Sequence, residues 1–266
     1  MSRLLNIERL CFPVTLRCNL RCRLCAEGSP YYNKPYHPTI DELREEVRAF
    51  FQVVGHVSKF DITGGEPFLR SDLSDFISWM FENYQNCFDV LRVTTNGSIQ
   101  IPNEFVEAVK GIRREQFYVI VDNYGHGISK KAEENAEKLK KSGIRYDLRD
   151  YFNELHCEGW VDYGDFSLKH DDFAAMALYE RCMVPKLGFF TCLVNGKLFP
   201  CAKARLLYEQ GLSDVFVDLY DKNLTIIDKQ EQMMVILGEA TVDVCKYCNG
   251  LCNDGPRFFP AEQLIM

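Results

Sequence analysis

From residue 11 to residue 148 the chain alternates apolar runs with amphipathic stretches, and that rhythm leaves few folds open. The apolar runs lie at Cys11 to Leu16, Val57 to Ile62, Val90 to Thr95, Phe117 to Asp122 and Ile144 to Leu148. Their length and composition read as buried strands. Between them the spacing predicts helices at 39–54, 72–84, 102–110 and 129–142. The first has Thr39 as N-cap, Glu42 three residues on, and an apolar stripe of Ile40, Leu43, Val47, Phe50 and Val54. The fourth is expected to start at Ser129 and to stop against Gly143. Strand–helix alternation requires right-handed crossovers and a parallel sheet. The class is therefore α/β. Polar or glycine-bearing motifs fall just after each of the five strands, and one ligand site touching five consecutive strand ends is what a partial (β/α) TIM-type barrel provides.

After residue 150 the rhythm breaks. Residues 151–170 read as loop, with no sixth strand in sight. A helix is expected over 171–182, followed by a hairpin in GFFTCLVNGKLFPC, turning at Asn195-Gly196. An Asn-Gly pair between two apolar runs is the strongest short-range hairpin signal. The expected division is 1–169 for the partial barrel and 170–266 for a small hairpin-plus-helix domain.

Composition narrows the function. There are 31 basic and 38 acidic side chains, a net charge of −7, so a polyanion gains no general attraction and nucleic-acid binding is a poor expectation. No apolar run approaches membrane-spanning length, and the charged first residues show no signal-peptide core. Twelve cysteines in 266 residues would mean disulfides in a small secreted domain. In a long chain without an export signal they point to a reducing cytoplasm, where clustered cysteines bind metal or do redox chemistry.

Cys18, Cys22 and Cys25 form C-x3-C-x2-C immediately after the first strand. Three thiolates on one loop suit three corners of a [4Fe–4S] cluster and leave the fourth iron open. A zinc site missing a ligand, or three unpaired structural cysteines, are the competing readings. After the second strand comes Thr63-Gly64-Gly65-Glu66-Pro67, where two glycines would let a ligand approach bare backbone.

These features resemble the radical S-adenosylmethionine (SAM) superfamily. The resemblance covers residues 8 to about 150. It rests on the cysteine triad, the Gly64-Gly65-Glu66-Pro67 turn, Thr94-Thr95-Asn96-Gly97 after the third strand, and Asp122 at the end of the fourth. It implies a partial barrel whose cluster is chelated by the amino and carboxylate groups of SAM. By resemblance, the backbone of Gly64, Gly65 and Glu66 would hold the methionine amino group. Asn96, Asp122 and Arg149 would contact ribose and carboxylate, though Arg149 also reads as a plain surface cation. Many members carry an aromatic just before the third cysteine, packing on adenine; here it is Leu24, which can still pack on a π-face. The family chemistry is one-electron cleavage of SAM to a 5′-deoxyadenosyl radical that removes a hydrogen atom from an unactivated C–H.

A second set, Cys182, Cys201, Cys245 and Cys248, is followed by Cys252. Four thiolates, two in C-x2-C, suit zinc or a second, auxiliary [4Fe–4S] cluster, and spacing alone does not choose. The stretch from Cys182 through Gly196 to Cys201 resembles the opening of the SPASM motif, in the shortened twitch form with one auxiliary cluster. The whole pattern is similar to the aminocyclitol dehydrogenase type of butirosin biosynthesis. In the expected hairpin Cys192 faces Phe199 and lies diagonal to Cys201, which makes it a spare core cysteine, an alternative ligand or a thiol hydrogen donor. Cys252 is an alternative ligand or a bystander. Cys11, Cys87 and Cys157 read as buried hydrophobes.

Four functions follow. One is oxidation of an alcohol on a sugar, cyclitol or similar polyol, with the second cluster accepting the electron that the substrate radical releases. Another is epimerisation with Cys192 returning hydrogen. A third is modification of a peptide. A non-enzymatic two-cluster electron carrier would explain the cysteines but not the strand-end polar residues. The expected partners are a small polar substrate and an external one-electron reductant such as flavodoxin or ferredoxin, with no nucleic acid and no membrane.

Overall fold

The computed structural model describes residues 4–186, 192–237 and 241–264. They fall into two compact units. The first, here the parallel unit, is built from residues 12–44, 58–160 and 259–266; the second, the hairpin unit, from 1–11, 45–57 and 161–258. Strands β1 (Leu5–Thr15) and β2 (Val54–Gly64) and helix α1 (Ile40–Val53) contribute residues to both.

The parallel unit follows the expected rhythm. After β1, α1 and β2 come α2 (Leu73–Tyr84), β3 (Phe88–Thr95), α3 (Asn103–Val109), β4 (Phe117–Asn123), α4 (Ala132–Lys141) and β5 (Tyr146–Asp150). Strand order is β5-β4-β3-β2-β1. β3 and β4 are parallel from Leu91↔Phe117 to Thr95↔Val121, and β4 and β5 from Val119↔Tyr146 to Asn123↔Asp150. The strands succeed one another without closing, so the barrel is partial. Thr39 and Glu42 form the capping box at the start of α1: the Glu42 amide donates to Thr39 Oγ1 at 3.3 Å and the Thr39 amide to Glu42 Oε2 at 2.7 Å. The core is aromatic. Phe12 packs edge-on to Phe60 with ring centroids 5.6 Å apart and stacks on Phe76 at 5.9 Å. Within this core the Arg92 guanidinium grips both Asp61 carboxylate oxygens and donates to Tyr118 Oη at 3.0 Å. Burying that ion pair is tolerable only because both partners are present.

Ser129 departs from expectation. It does not start a helix; α4 begins at Ala132. Its hydroxyl donates to the Asn96 carbonyl at 2.7 Å and accepts from the Tyr124 amide at 2.9 Å. The residue laces the ends of β3 and β4 together instead of capping.

The hairpin unit holds α5 (Asp172–Arg181), α6 (Met183–Lys186), β6 (Cys192–Val194), β7 (Lys197–Phe199), α7 (Ala202–Glu209), β8 (Val217–Asp218), α8 (Ile226–Ile236) and α9 (Thr241–Cys245). The β6–β7 hairpin turns at Asn195 and Gly196, with φ of 52° and 69°. Two successive left-handed residues are what the tightest hairpin turn demands. Register pairs Cys192 with Phe199, as the sequence predicts, and β8 extends the antiparallel ladder. Residues 188–191 of the expected first hairpin strand lie outside the described residues. β6 also runs parallel to β1, with Cys11↔Cys192 in register. Residues 151–170 contain no strand, only a short turn at His156–Glu158. Cys157 sits in that turn and is exposed, while Cys11 and Cys87 are half-buried, so none of the three is the fully buried hydrophobe expected. Among the described residues no helix is long and apolar enough to cross a membrane.

Candidate functional site

In the parallel unit the five strand ends carry the polar residues. Cys18, Cys22 and Cys25 follow β1 on a loop folded by two tight turns, with the Cys25 amide donating to the Cys22 carbonyl at 3.3 Å and the Gly28 amide to the Cys25 carbonyl at 3.0 Å. Burial pushes the Cys18 thiol up to about 12, and the charges of Glu66, Cys25 and Cys22 add to the effect. Cys22 is pushed to about 11 by burial, against the pull of Gln263. Cys25 is raised by burial and pulled back by the Ser29 amide. As free thiolates these groups are unfavourable here, and a cation bound among them reverses that balance.

N–H donors already face the sulfurs. The Leu20 amide reaches Cys18 Sγ at 3.4 Å, Asn96 Nδ2 approaches the same sulfur at 3.8 Å, and Gln263 Nε2 reaches Cys22 Sγ at 3.2 Å. Such donors stabilise thiolate ligands of iron. Among the described residues no three His, Cys, Asp or Glu side chains converge on a point that could hold a single metal ion. A [4Fe–4S] cluster asks for a different arrangement. Each iron takes one thiolate, so the sulfurs surround a body of several atoms and need not meet at one point. The donor set fits that group, with three thiolates and one iron left for a non-protein ligand.

The glycine turn serves the chain first. A Cβ on Gly64, whose φ is 137°, would lie 2.0 Å from the Thr15 carbonyl oxygen; one on Gly65 would lie 2.1 Å from that of Arg17. Bare backbone is needed because β1 and its loop pass so close. The Gly65 amide donates to Thr15 O at 2.7 Å and the Glu66 amide to Arg17 O at 2.9 Å. These bonds fix the turn to the start of the cysteine loop. The Glu66 carboxylate is wholly buried. It accepts from the Phe68 amide, Thr95 Oγ1 and the Asn96 amide at 3.1, 2.9 and 2.8 Å. Burial still raises it to about 7. Glu66 thus braces the end of β2 against the end of β3, a side-chain role that the sequence does not reveal.

Asn96 stands beside the first cysteine and bonds Asn19 Oδ1 at 3.2 Å. Asp122 and Arg149 are register partners on β4 and β5. Asp122 is raised to about 6 by burial, against the pull of Arg149 and of Tyr124, whose hydroxyl donates to Oδ2 at 3.1 Å. Its other oxygen, Oδ1, is buried with no hydrogen-bond partner. A buried, unfilled acceptor of this kind marks a place where a ligand donor fits. Arg149, half-buried, is held by Asp147 Oδ2 at 3.0 Å. Tyr124 packs with Cys22 and Ala261, flanked by Leu20, Cys25, Tyr151 and Trp160, so an apolar wall backs the cysteine loop. Leu24 is half-buried.

The hairpin unit gathers the second set. Cys182 ends α5, Cys201 precedes α7, Cys245 ends α9, and Cys248 and Cys252 lie on the loop that follows. Burial raises Cys245, and the charges of Cys201, Cys248, Cys182 and Cys252 raise it further. The charge of each of the other four is therefore felt at Cys245. Burial pushes Cys201 up to about 12 and Cys248 to about 11. The Gly250 amide donates to Cys248 Sγ at 3.2 Å. Lys203, buried, donates to the Gly164 and Asp165 carbonyls at 3.0 and 2.6 Å and opposes the charge of Cys248. Cys192, for which the sequence leaves a core, a ligand and a hydrogen-donor reading, is buried in β6, in register with Cys11 and Phe199. Spacing does not point to Lys203, Tyr124 or Gln263; none lies in a motif.

Comparison with known proteins decides the family. A family model described as Radical SAM superfamily matches residues 12–153. The chain belongs to the radical SAM superfamily. Membership brings a [4Fe–4S] cluster and SAM as cofactors, and the Cys18, Cys22 and Cys25 loop fits the cluster. Among curated relatives, GTP 3′,8-cyclase of Campylobacter jejuni subsp. doylei is 35% identical over 135 residues, which is 50% of this chain and 39% of the cyclase. GTP 3′,8-cyclase of Nautilia profundicola is 36% identical over 94 residues, 35% of this chain and 28% of the cyclase. The radical SAM chain described here thus spans well under half the length of these relatives. Among solved structures, BtrN in complex with AdoMet and 2-DOIA superposes with a TM-score of 0.55 at 16% identity, covering 97% of this chain and 98% of BtrN. A histidine-tagged anSMEcpe with bound AdoMet gives 0.51 at 16% identity, over 97% and 93%. The likeness in fold runs through both units.

Proposed function

We propose that this chain is a radical SAM oxidoreductase that oxidises an alcohol of a sugar- or cyclitol-type substrate to a ketone, with an auxiliary [4Fe–4S] cluster as electron acceptor. The observation that carries the reading is that one unit holds Cys182 at the end of α5, Cys201 before α7, Cys245 at the end of α9, and Cys248 and Cys252 on the loop that follows. Four protein thiolates close a cluster and leave no open iron, so such a cluster serves electron transfer rather than SAM binding.

The cluster and SAM, when bound, supply a 5′-deoxyadenosyl radical that takes a hydrogen atom from a carbinol carbon. Cys182, Cys201, Cys245 and Cys248 would hold the auxiliary cluster, which would supply a one-electron acceptor, so that loss of one hydrogen atom, one proton and one electron from the carbinol would balance as a two-electron oxidation. Gly64, Gly65 and Glu66 position the turn for the methionine amino group. Asp122 Oδ1 offers an acceptor, and Asn96 and Arg149 offer donors. Tyr124 and its apolar neighbours exclude water from the cysteine loop, which protects a radical from quenching.

The test is product analysis. The reduced, reconstituted protein is incubated with SAM and a panel of polyols. Stoichiometric 5′-deoxyadenosine with a ketone product supports the reading; 5′-deoxyadenosine without an oxidised product in every case removes it. A second reading has its own observation, the 35% identity to GTP 3′,8-cyclases. GTP in the same panel decides it: GTP-dependent 5′-deoxyadenosine with a cyclised product would replace oxidation. Epimerisation with Cys192 as donor predicts solvent deuterium in the product, lost in Cys192→Ala.

A further inference from the structure

We propose that Gln263 is a positioning residue for the SAM-binding cluster: its amide N–H donates to the Cys22 sulfur and raises the cluster's reduction potential. The inference rests on family membership and is independent of the substrate.

Gln263 lies 241 residues from Cys22 in sequence and bonds to it directly, with Nε2 3.2 Å from Cys22 Sγ. Its orientation is fixed from three sides. The Arg21 amide donates to Gln263 Oε1 at 2.8 Å, so the oxygen faces Arg21. The nitrogen is then the atom facing Cys22, and its second hydrogen goes to the Ala261 carbonyl at 2.6 Å. Exchanging O and N would set an acceptor against the Ala261 carbonyl and a donor against the Arg21 N–H, so the assignment is unambiguous.

The backbone holds the side chain there. Cys22 and Gln263 form an antiparallel bridge. On either side the Arg23 amide donates to the Glu262 carbonyl and the Leu264 amide to that of Arg21, both at 2.8 Å. Arg23 also binds Glu262 Oε2 through two nitrogens, at 2.9 and 2.7 Å. A segment that could have passed anywhere is stitched along the cysteine loop, and one of its side chains is committed to a ligand sulfur.

The electronic consequence follows from charge. A one-electron reduction of the cluster increases negative charge on the ligand sulfurs. An N–H directed at sulfur interacts more strongly with the reduced form, so it favours reduction. Removing it lowers the potential.

The experiment is an EPR-monitored redox titration of anaerobically reconstituted protein without SAM, at pH 8, comparing wild type with Gln263→Leu and Gln263→Glu. A parallel sample with SAM identifies the signal of the triad, since only the cluster with an open iron responds to SAM, and the midpoint is read from that signal alone. The expected outcome is a lower midpoint in Gln263→Leu, by up to a tenfold change in the reduction equilibrium, or about 59 mV for one electron. Gln263→Glu keeps the acceptor for Arg21 and places a carboxylate oxygen at the sulfur, so its midpoint falls further. Three coincident midpoints overturn the proposal. So does failure of both variants to take up any cluster, because the amide would then serve assembly and not tuning. A wild-type protein that binds no iron at the triad would sink the family assignment itself, which separates the two failures.

Discussion

The two cysteine sets are built by opposite strategies. In the parallel unit three sulfurs come from one short loop, Cys18 to Cys25, and the rest of the unit supplies donors to them: Asn96 from the end of β3 and Gln263 from a distant segment. In the hairpin unit the sulfurs themselves are distant, brought from the end of α5, the start of α7, the end of α9 and the loop after it. A loop that carries its own ligands survives as a loop if the metal leaves. A site assembled from several elements would be a cross-link among them, so a metal bound there would also hold the unit together.

That contrast can be broken in several ways. The largest effect is expected from Cys22→Ala, which on the proposed assignment removes a corner of the SAM-binding cluster. Turnover should fall to the uncatalysed level, on the order of 10⁶-fold or more, with the second set still taking up iron. Retained SAM cleavage would refute the assignment of the loop. Cys248→Ala should remove roughly four of about eight irons per chain and lower the melting temperature, while SAM cleavage without substrate persists and the ketone disappears. An equal iron count in this variant would mean that Cys252 takes its place.

Arg92→Met tests the parallel unit away from either set. It strands Asp61 in the core, and breaking a buried pair costs about 3–5 kcal/mol, read by urea denaturation. Iron content of the folded fraction should not change. Asp122→Asn gives a smaller, pH-dependent effect. Burial raises Asp122 to about 6 in the folded chain from 3.8, so between those values the folded state binds more protons than the unfolded one. Stability contributed by this group is therefore lost as pH rises from about 4 to about 6. The Asn variant should be more stable than wild type at pH 7.5, by at most about 3 kcal/mol, and should show no such gain at pH 4. Equal melting temperatures at both pH values would show that Asp122 is not held in a proton-retaining site. Arg23→Ala, at a partly exposed ion pair, should cost no more than about 1 kcal/mol; a larger loss would mean that the stitched segment depends on this one contact.

The sequence made the parallel unit legible because its information is local. Apolar runs and amphipathic stretches locate β2 to β5 and α1 to α4 within a few residues, while β1 begins at Leu5, six residues before the expected run; the Thr39–Glu42 box and the Asn195-Gly196 turn are signals contained in four residues or fewer. What escaped was long-range. Ser129 has the composition of a cap, yet it ties two strand ends. Gly64 and Gly65 read as room for a ligand, while the structure shows them crowded by Thr15 and Arg17. Cys157 reads as apolar and lies exposed in a turn. Gln263 carries no local signal, since its partner is fixed only once β1 and its loop are in place.

The bridge between Cys22 and Gln263 has a consequence in time. A ribosome adding roughly 5–20 residues per second delivers Gln263 on the order of ten to fifty seconds after Cys22, because 241 positions separate them. For that interval the nascent cysteine loop is without its stitching segment. Iron delivered early would meet an unfastened loop, and iron delivered late a finished one.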